Sequence, residues 1–231
     1  MKSFLRLSLA AVAVTFFFNA FAVMDAKAQG VLNEILKRME VNRNTMKTLR
    51  SNVMMVKYNA QLKETDVTQG TSIYLPTKGR DALVRIDWTK PVEETLAVVN
   101  GQYVLYRPRL KQAITGNAKN AQGNGKANNA LAFMNMSKEQ LKANYTIKYI
   151  GQENVSGNIP TWRLELTPKA ASNFKLAELW VDGDGMPIQA KVVETNNDST
   201  TVLLSNFEKN ANINASHFEV KLPKNTQIIK G

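Results

Sequence analysis

The feature that most constrains the fold is a strand-like alternation that runs from Asn52 almost to the end of the chain. Trp162, Leu164 and Leu166 alternate with Arg163 and Glu165, so this segment has one apolar and one polar face. Similar short runs are separated by turn sequences such as Asn-Gly and Asp-Gly, which favour antiparallel hairpins. We predict about ten strands in one large, strongly curved antiparallel sheet.

Two helical segments interrupt this pattern. Apolar residues from Val31 to Met39 recur at helical spacing and resume at Met46 and Leu49, which predicts one amphipathic helix before the first strand. A glycine- and asparagine-rich stretch begins at Gly116, lacks periodicity and is expected to be a flexible loop. A capping box from Ser137 to Gln140 then predicts a short helix within a loop and lid region at 116–144. The fold class is therefore α+β, with helices covering the concave face of the sheet.

Residues 1–28 have the pattern of a secretory signal peptide. Lys2 and Arg6 precede an apolar run from Leu7 to Phe18, which is shorter than the roughly 20 residues that span a bilayer. We expect cleavage after Ala28, although an uncleaved anchor is the alternative. Residues 29–231 would then form a single domain that is soluble outside the cytoplasm after cleavage.

Composition narrows the classes of function. The chain has no cysteine, which excludes disulfides, thiolate metal sites and a lipid-attachment cysteine. Its net charge is +11 at pH 7, which favours anionic partners such as membrane head groups. The basic residues are scattered rather than clustered, and an exported protein is not expected to meet nucleic acid. A soluble basic surface remains the simpler explanation of this charge.

Few residues suggest catalysis or metal binding. His217 is the single histidine, and without a nucleophile motif we expect it to be a surface or capping residue. Residues 182–185 have the sequence Asp-Gly-Asp-Gly but lack the glutamate that completes a calcium loop, so a tight turn explains them. We expect no enzyme activity, no cofactor and no metal site.

Phe133, Met134 and Met136 follow the glycine-rich loop directly. Flexible apolar side chains on a movable cover suit apolar ligands, but the same residues could equally be the core beneath a fixed helix. The pattern alone leaves both interpretations open.

Six segments in order resemble the periplasmic outer-membrane lipoprotein carrier family, whose members are LolA-like chaperones. The similarity covers nearly all of the region after the signal. The matching segments are Ile73-Tyr74-Leu75 through Arg80, Trp88-Thr89-Lys90-Pro91, Asn100 to Pro108 with Lys111-Gln112-Ala113, Leu166-Thr167-Pro168-Lys169, Leu179-Trp180-Val181-Asp182 with Gly185, and Phe218 to Pro223.

The resemblance implies an incomplete β-barrel that helices close on one side, with a hydrophobic interior for lipoprotein acyl chains. An inner-membrane lipoprotein-releasing complex and an outer-membrane acceptor are the implied partners of a monomer. A carrier or sensor of free lipid or glycolipid is the alternative. The arginine that locks the lid in the family corresponds to Arg80 or to Arg85. The residues expected to line the cavity are Ile73, Leu75, Ile86, Trp88, Leu96, Val98, Tyr106, Phe133, Met134, Met136, Trp162 and Leu164.

Overall fold

A computed structural model of the protein describes residues 28–76, 82–118, 136–155 and 157–231. Residues 28–45 are helical and form α1, whose apolar stripe from Leu32 to Met39 is buried against the sheet. The helix ends before Met46 and Leu49, to which the sequence pattern had extended it. Asn210 explains this end, because its Oδ1 accepts from the backbone N of Lys47 at 2.8 Å and its backbone N donates to Thr48 O at 2.8 Å.

The alternating segments form twelve strands in the described part of the chain, where about ten were predicted. Their bounds are β1 Leu49–Asn59, β2 Glu64–Leu75, β3 Leu83–Lys90, β4 Glu94–Val99, β5 Gln102–Arg107, β6 Gln112–Asn117, β7 Tyr145–Val155, β8 Ile159–Pro168, β9 Phe174–Asp182, β10 Pro187–Glu194, β11 Ser199–Lys209 and β12 Gln227–Lys230. Short 3₁₀ helices span Pro108–Leu110 and Ala215–Phe218. The second helix, α2, spans Lys138–Asn144.

All twelve strands belong to one sheet in the order β12-β6-β5-β4-β3-β2-β1-β11-β10-β9-β8-β7. The sheet curls but does not close, since β12 and β7 form its two edges. The predicted fold, an open antiparallel barrel with helices, is confirmed. One pairing differs from the prediction: β12 runs parallel to β6, because residues 215–226 carry the chain across the sheet before it pairs.

The main core lies on the concave face. Leu32, Ile35 and Leu36 of α1 pack into a buried cluster with strand residues that include Leu164 and Ile188. Burial of a side chain of this size contributes about 1.5–3 kcal/mol to folding, so α1 is an integral part of the fold. The curled sheet therefore wraps around α1.

A smaller cluster lies on the opposite, outer face of the sheet. Leu83, Ile213 and Phe218 form its buried centre, and the side chains of Ile73 and Leu75 pack against it. The segment between β11 and β12 thus covers the outer side of β2 and β3. Both faces of these two strands carry apolar residues, which sequence alternation alone does not reveal.

Helix α2 begins with the predicted capping box. Ser137 Oγ accepts from the backbone N of Gln140 at 3.2 Å, and Gln140 Oε1 accepts from the backbone N of Ser137 at 2.8 Å. Leu141 is the buried residue of this helix. The predicted loop was placed from residue 116, but β6 continues to Asn117; residues 119–135 lie outside the described chain.

Candidate lipid-binding cavity

A cavity of about 800 Å³, its open mouth included, lies on the concave face between the end of α1 and strands β1 to β3. Pockets that bind small molecules are mostly apolar, with a few polar groups. We call it the first cavity. Its apolar lining is Met39, Met46, Leu49, Ile73, Val84, Ile86, Met136, Met186, Pro187 and Leu204, and its polar lining is Asn42, Arg43, Ser72 and Tyr74.

Strand register brings the floor of the first cavity together. Leu49 of β1 lies opposite Tyr74 of β2, and Tyr74 lies opposite Val84 of β3. One step along the strands, Ser72 lies opposite Ile86. Residues directly opposite one another project to the same face, so these side chains line one surface although up to 37 positions separate them in sequence.

Methionine is prominent in this lining. Met39 and Met46 come from α1 and the residues after it, Met136 precedes α2, and Met186 follows the turn between β9 and β10. The unbranched, polarizable side chain of methionine adapts to irregular apolar shapes. The first cavity can therefore adjust to flexible hydrocarbon groups.

The polar residues are largely occupied by contacts within the protein. Ser72 Oγ lies 2.8 Å from Ser51 Oγ, and the side chain of Asn42 donates to Asp184 O at 3.5 Å. Burial raises the pKa of Tyr74, and the positive charge of Arg43 partly opposes this rise. The Tyr74 hydroxyl is consequently neutral at physiological pH. The cavity thus offers an apolar wall with one phenol and one guanidinium near each other.

Two contacts join α1 to α2 above the sheet. Glu40 Oε2 accepts from the backbone N of Lys138 at 3.3 Å, and Lys142 Nζ donates to Asn33 Oδ1 at 3.3 Å. Both contacts are exposed or half-buried, where a single polar contact contributes about 1 kcal/mol or less. Leu141 of α2 is buried in the main core cluster, so apolar packing holds α2 in place in addition to these two hydrogen bonds.

A second cavity of about 660 Å³, open to solvent as well, lies further along the same strands. Its lining comprises Met55, Lys57, Thr68, Trp88, Pro91, Val92, Glu94, Leu96 and Leu105. Met55 lies opposite Thr68, and Leu96 lies opposite both Ile86 of the first cavity and Leu105. The two cavities therefore follow one another along the concave face.

Seven of the residues predicted to line the cavity lie on the inner side. Ile86 and Met136 line the first cavity, and Trp88 and Leu96 line the second. Val98 lies opposite Val84 and so shares the face of the first cavity. Trp162 and Leu164 lie opposite Val181 and Leu179 in the core beneath α1, beyond both cavities.

Other predicted residues lie elsewhere. Ile73 borders the first cavity, but its side chain and that of Leu75 pack against the outer cluster. Tyr106 lies opposite Thr95, whose hydroxyl bonds Asp87 on the outer face. The prediction placed these three residues inside because period-two alternation does not indicate which face is concave. Phe133 and Met134 lie outside the described residues.

The structure describes one of the two arginines proposed to lock the lid. Arg80 lies outside the described residues. Arg85 lies on the outer face, where it forms an ion pair with Asp87 at 2.9 Å and donates from Nη1 to the carbonyl oxygens of His217 and Glu219, each at 3.1 Å. Its observed contacts hold the C-terminal segment rather than α1 or α2, and the lid-locking assignment of Arg85 is not retained.

Several cavity residues were not identified from sequence. Met39 and Met46 were assigned only to the apolar stripe of the helix, and Met186 follows a turn with no periodic signal. Arg43 and Tyr74 were not singled out as site residues. Because Tyr74 alternates with Ile73 and Leu75, the opposite choice of face for β2 would have found it.

The two motifs weighed for chemistry have structural contacts. His217 Nδ1 lies 3.2 Å from the backbone N of Asn214 in the cap of a 3₁₀ helix. Asp182 Oδ1 accepts from the backbone N of Asp184 and of Met186 at 3.0 and 2.8 Å, as in a tight turn. Across residues 28–76, 82–118, 136–155 and 157–231, no group of three acidic, histidine or cysteine residues could hold a metal ion.

Fold and cavity together define a protein that binds apolar ligands inside an open, helix-covered β-barrel. The family model described as outer membrane lipoprotein carrier protein LolA matches residues 44–221, and the chain belongs to this family. The fold of this family is a binding and carrier fold. No curated protein matches the sequence. In the described part of the chain, helices fall short of the length and apolarity required to cross a membrane.

Two solved structures with low sequence identity share the fold, and a third aligns with a TM-score below 0.5. An uncharacterized conserved protein from Thermus thermophilus aligns with a TM-score of 0.56 at 14% identity, covering 87% of this chain and 99% of that one. MucB aligns with a TM-score of 0.53 at 14% identity, covering 85% of this chain and 63% of MucB. A putative outer membrane lipoprotein-sorting protein domain from Vibrio parahaemolyticus gives 0.46 at 14% identity, with 80% and 95% covered.

Proposed function

We propose that this protein is a periplasmic carrier that binds the acyl chains of lipoproteins in its concave interior and transfers them from the inner to the outer membrane. The observation that carries the proposal is the open, methionine-rich first cavity beneath α1. Membership of the lipoprotein carrier family supports the same function. An inner-membrane releasing complex and an outer-membrane acceptor are the proposed partners. Residues 1–28 are the proposed export signal.

The physical need for such a carrier follows from the cost of exposing hydrocarbon. Each methylene that leaves water gains about 0.8 kcal/mol, so a lipid with several acyl chains does not cross an aqueous compartment unshielded. The cavity replaces water around the chains with Met39, Met46, Leu204 and similar side chains. Release requires only an acceptor with higher affinity, because no covalent step is involved.

The contacts between α1 and α2 suggest how cargo enters. Glu40 and Asn33 hold the start and end of α2 through one hydrogen bond each. Met136, two residues before α2, forms part of the cavity wall. Separation of α2 from α1 would therefore widen the first cavity, at the cost of these bonds and of about 1.5–3 kcal/mol for exposing Leu141, and the apolar core under Leu32 and Ile35 would keep α1 in place.

Mass spectrometry of protein purified from its native envelope tests the proposal. Co-purified triacylated peptides are the expected result. Free phospholipid or glycolipid without lipoprotein would instead support a carrier of free lipid. Purified protein that carries neither and does not bind a synthetic triacylated lipopeptide would refute the carrier function.

A further inference from the structure

The second cavity contains a cation that the apolar lining does not explain. Lys57 lies on β1 two residues beyond Met55 and therefore on the same inner face. Met55, Trp88, Leu96 and neighbouring residues form the apolar part of the wall. A lysine ammonium beside such a wall loses part of its hydration and is stabilised by an anionic partner.

The described residues do not supply that partner. Glu94 is the carboxylate in the lining, and it forms an ion pair with Arg107 at 3.0 Å. Asp66 lies opposite Lys57 on β2, but the two do not form an ion pair. The Lys57 ammonium has no ion pair or hydrogen bond to any residue in the described ranges. The positive charge at this position is therefore available to a ligand.

The charged and the apolar residues of the second cavity occupy different positions along the strands. On β3 and β4, Trp88 lies opposite Glu94, while Ile86 lies opposite Leu96 one step closer to the first cavity. Pro91 and Val92 follow the end of β3, and Lys57 is near the end of β1. The charged and polar residues thus lie at one end of the sheet, and the apolar wall extends from them toward the first cavity.

We propose that the second cavity binds a long-chain carboxylate, with the hydrocarbon against Met55, Trp88 and Leu96 and the carboxylate paired with Lys57. The Lys57 ammonium, which forms no ion pair within the described ranges, matches one anionic group of unit charge. This site deepens the proposed function and rests on it, because both depend on a concave interior that accepts hydrocarbon.

Calorimetric titration with palmitate and with methyl palmitate tests this site, since the two ligands differ in charge at one end. The Lys57→Met variant keeps much of the side-chain length and removes the charge. The control variant, Lys148→Met, removes an equal charge from an exposed position on β7. We expect Lys57→Met to weaken palmitate binding roughly tenfold and to leave methyl palmitate unchanged, while Lys148→Met affects neither.

Equal affinity of Lys57→Met and the unaltered protein for palmitate would overturn the proposal. An equal loss of affinity for palmitate and methyl palmitate would also overturn it, because removal of the Lys57 charge should not weaken binding of the neutral ester. Tighter binding of phosphatidylglycerol, with the same dependence on Lys57, would overturn the assignment to a carboxylate.

A triacylated lipopeptide separates this inference from the proposed function. Lipopeptide binding together with palmitate binding that is independent of Lys57 would refute the carboxylate site alone. Lys57-dependent palmitate binding without lipopeptide binding would refute lipoprotein transport alone. The two proposals therefore fail under different results.

Discussion

The guanidinium of Arg38 lies 5.3 Å from the centre of the Trp162 ring, and its Nη1 donates to the carbonyl oxygen of Gly183 at 2.9 Å. These contacts fix the middle of α1 to β8 and to the turn between β9 and β10. The end of the same helix, near Met46, borders the first cavity. One helix thus combines an anchored segment with a cavity wall, and substitutions can separate the two roles.

Gly185→Ala tests the anchored segment. Gly185 has φ +83°, and a Cβ at this position would lie 2.3 Å from the backbone carbon of Arg38. Strain and overlap together should lower the free energy of unfolding by at least about 2 kcal/mol in urea titrations. Gly183→Ala is the matched control, because a Cβ there meets nothing within 4 Å. Equal stability of the two variants would contradict the close packing of turn and helix.

Met46→Asp tests the cavity wall. A short carboxylate at this half-buried position cannot easily reach water, so apolar ligands should bind at least roughly tenfold more weakly. Val41→Asp adds the same charge to the end of α1 at a residue that is 56% exposed, and binding should remain unchanged. Titration with a fluorescent apolar probe and with a triacylated lipopeptide measures both variants. Similar affinities would exclude the first cavity as the binding site.

Arg85→Met tests the outer face. Loss of the bonds to His217 O and Glu219 O should increase amide exchange in residues 213–219 roughly tenfold, since a bond from a charged donor is worth about 1.5–3 kcal/mol. Ligand affinity should not change. An altered affinity without altered exchange would instead favour a role for Arg85 in locking the lid.

Tyr74 should make stability depend on alkaline pH. Burial raises the folded-state pKa of Tyr74 above the ordinary value of about 10. The part of the unfolding free energy that comes from this shift is therefore complete below the unfolded-state pKa, and it is lost as pH rises through the folded-state pKa. Unfolding measured at several alkaline pH values should show a weaker decline in Tyr74→Phe than in the unaltered protein. Tyr58→Phe is the control because Tyr58 is 39% exposed. Parallel declines in all three proteins would contradict the raised pKa of Tyr74.

Local sequence determined the elements of this protein. Alternation of apolar and polar residues predicted the strands, and helical spacing predicted α1. Ser137 and Gln140 predicted the start of α2. These three patterns could be recognised because each involves residues close together in the chain. Family motifs added the open barrel. Positions near element ends were less well predicted: Met46 and Leu49 fit a helical pattern, but hydrogen bonds with Asn210 redirect the chain there.

Only the tertiary structure decided which face of each strand is inside. Ile73 and Tyr74 are adjacent on β2, but their side chains lie on opposite faces of the sheet. Tyr74 borders the first cavity, and the side chain of Ile73 packs beneath the C-terminal segment. Period two specifies that adjacent residues diverge but not which of them faces α1. The register between strands, the covering of the outer face by Phe218 and the docking of α1 set that choice. The docking of α1 and of the C-terminal segment depends on contacts between residues more than 100 positions apart, which no local pattern encodes.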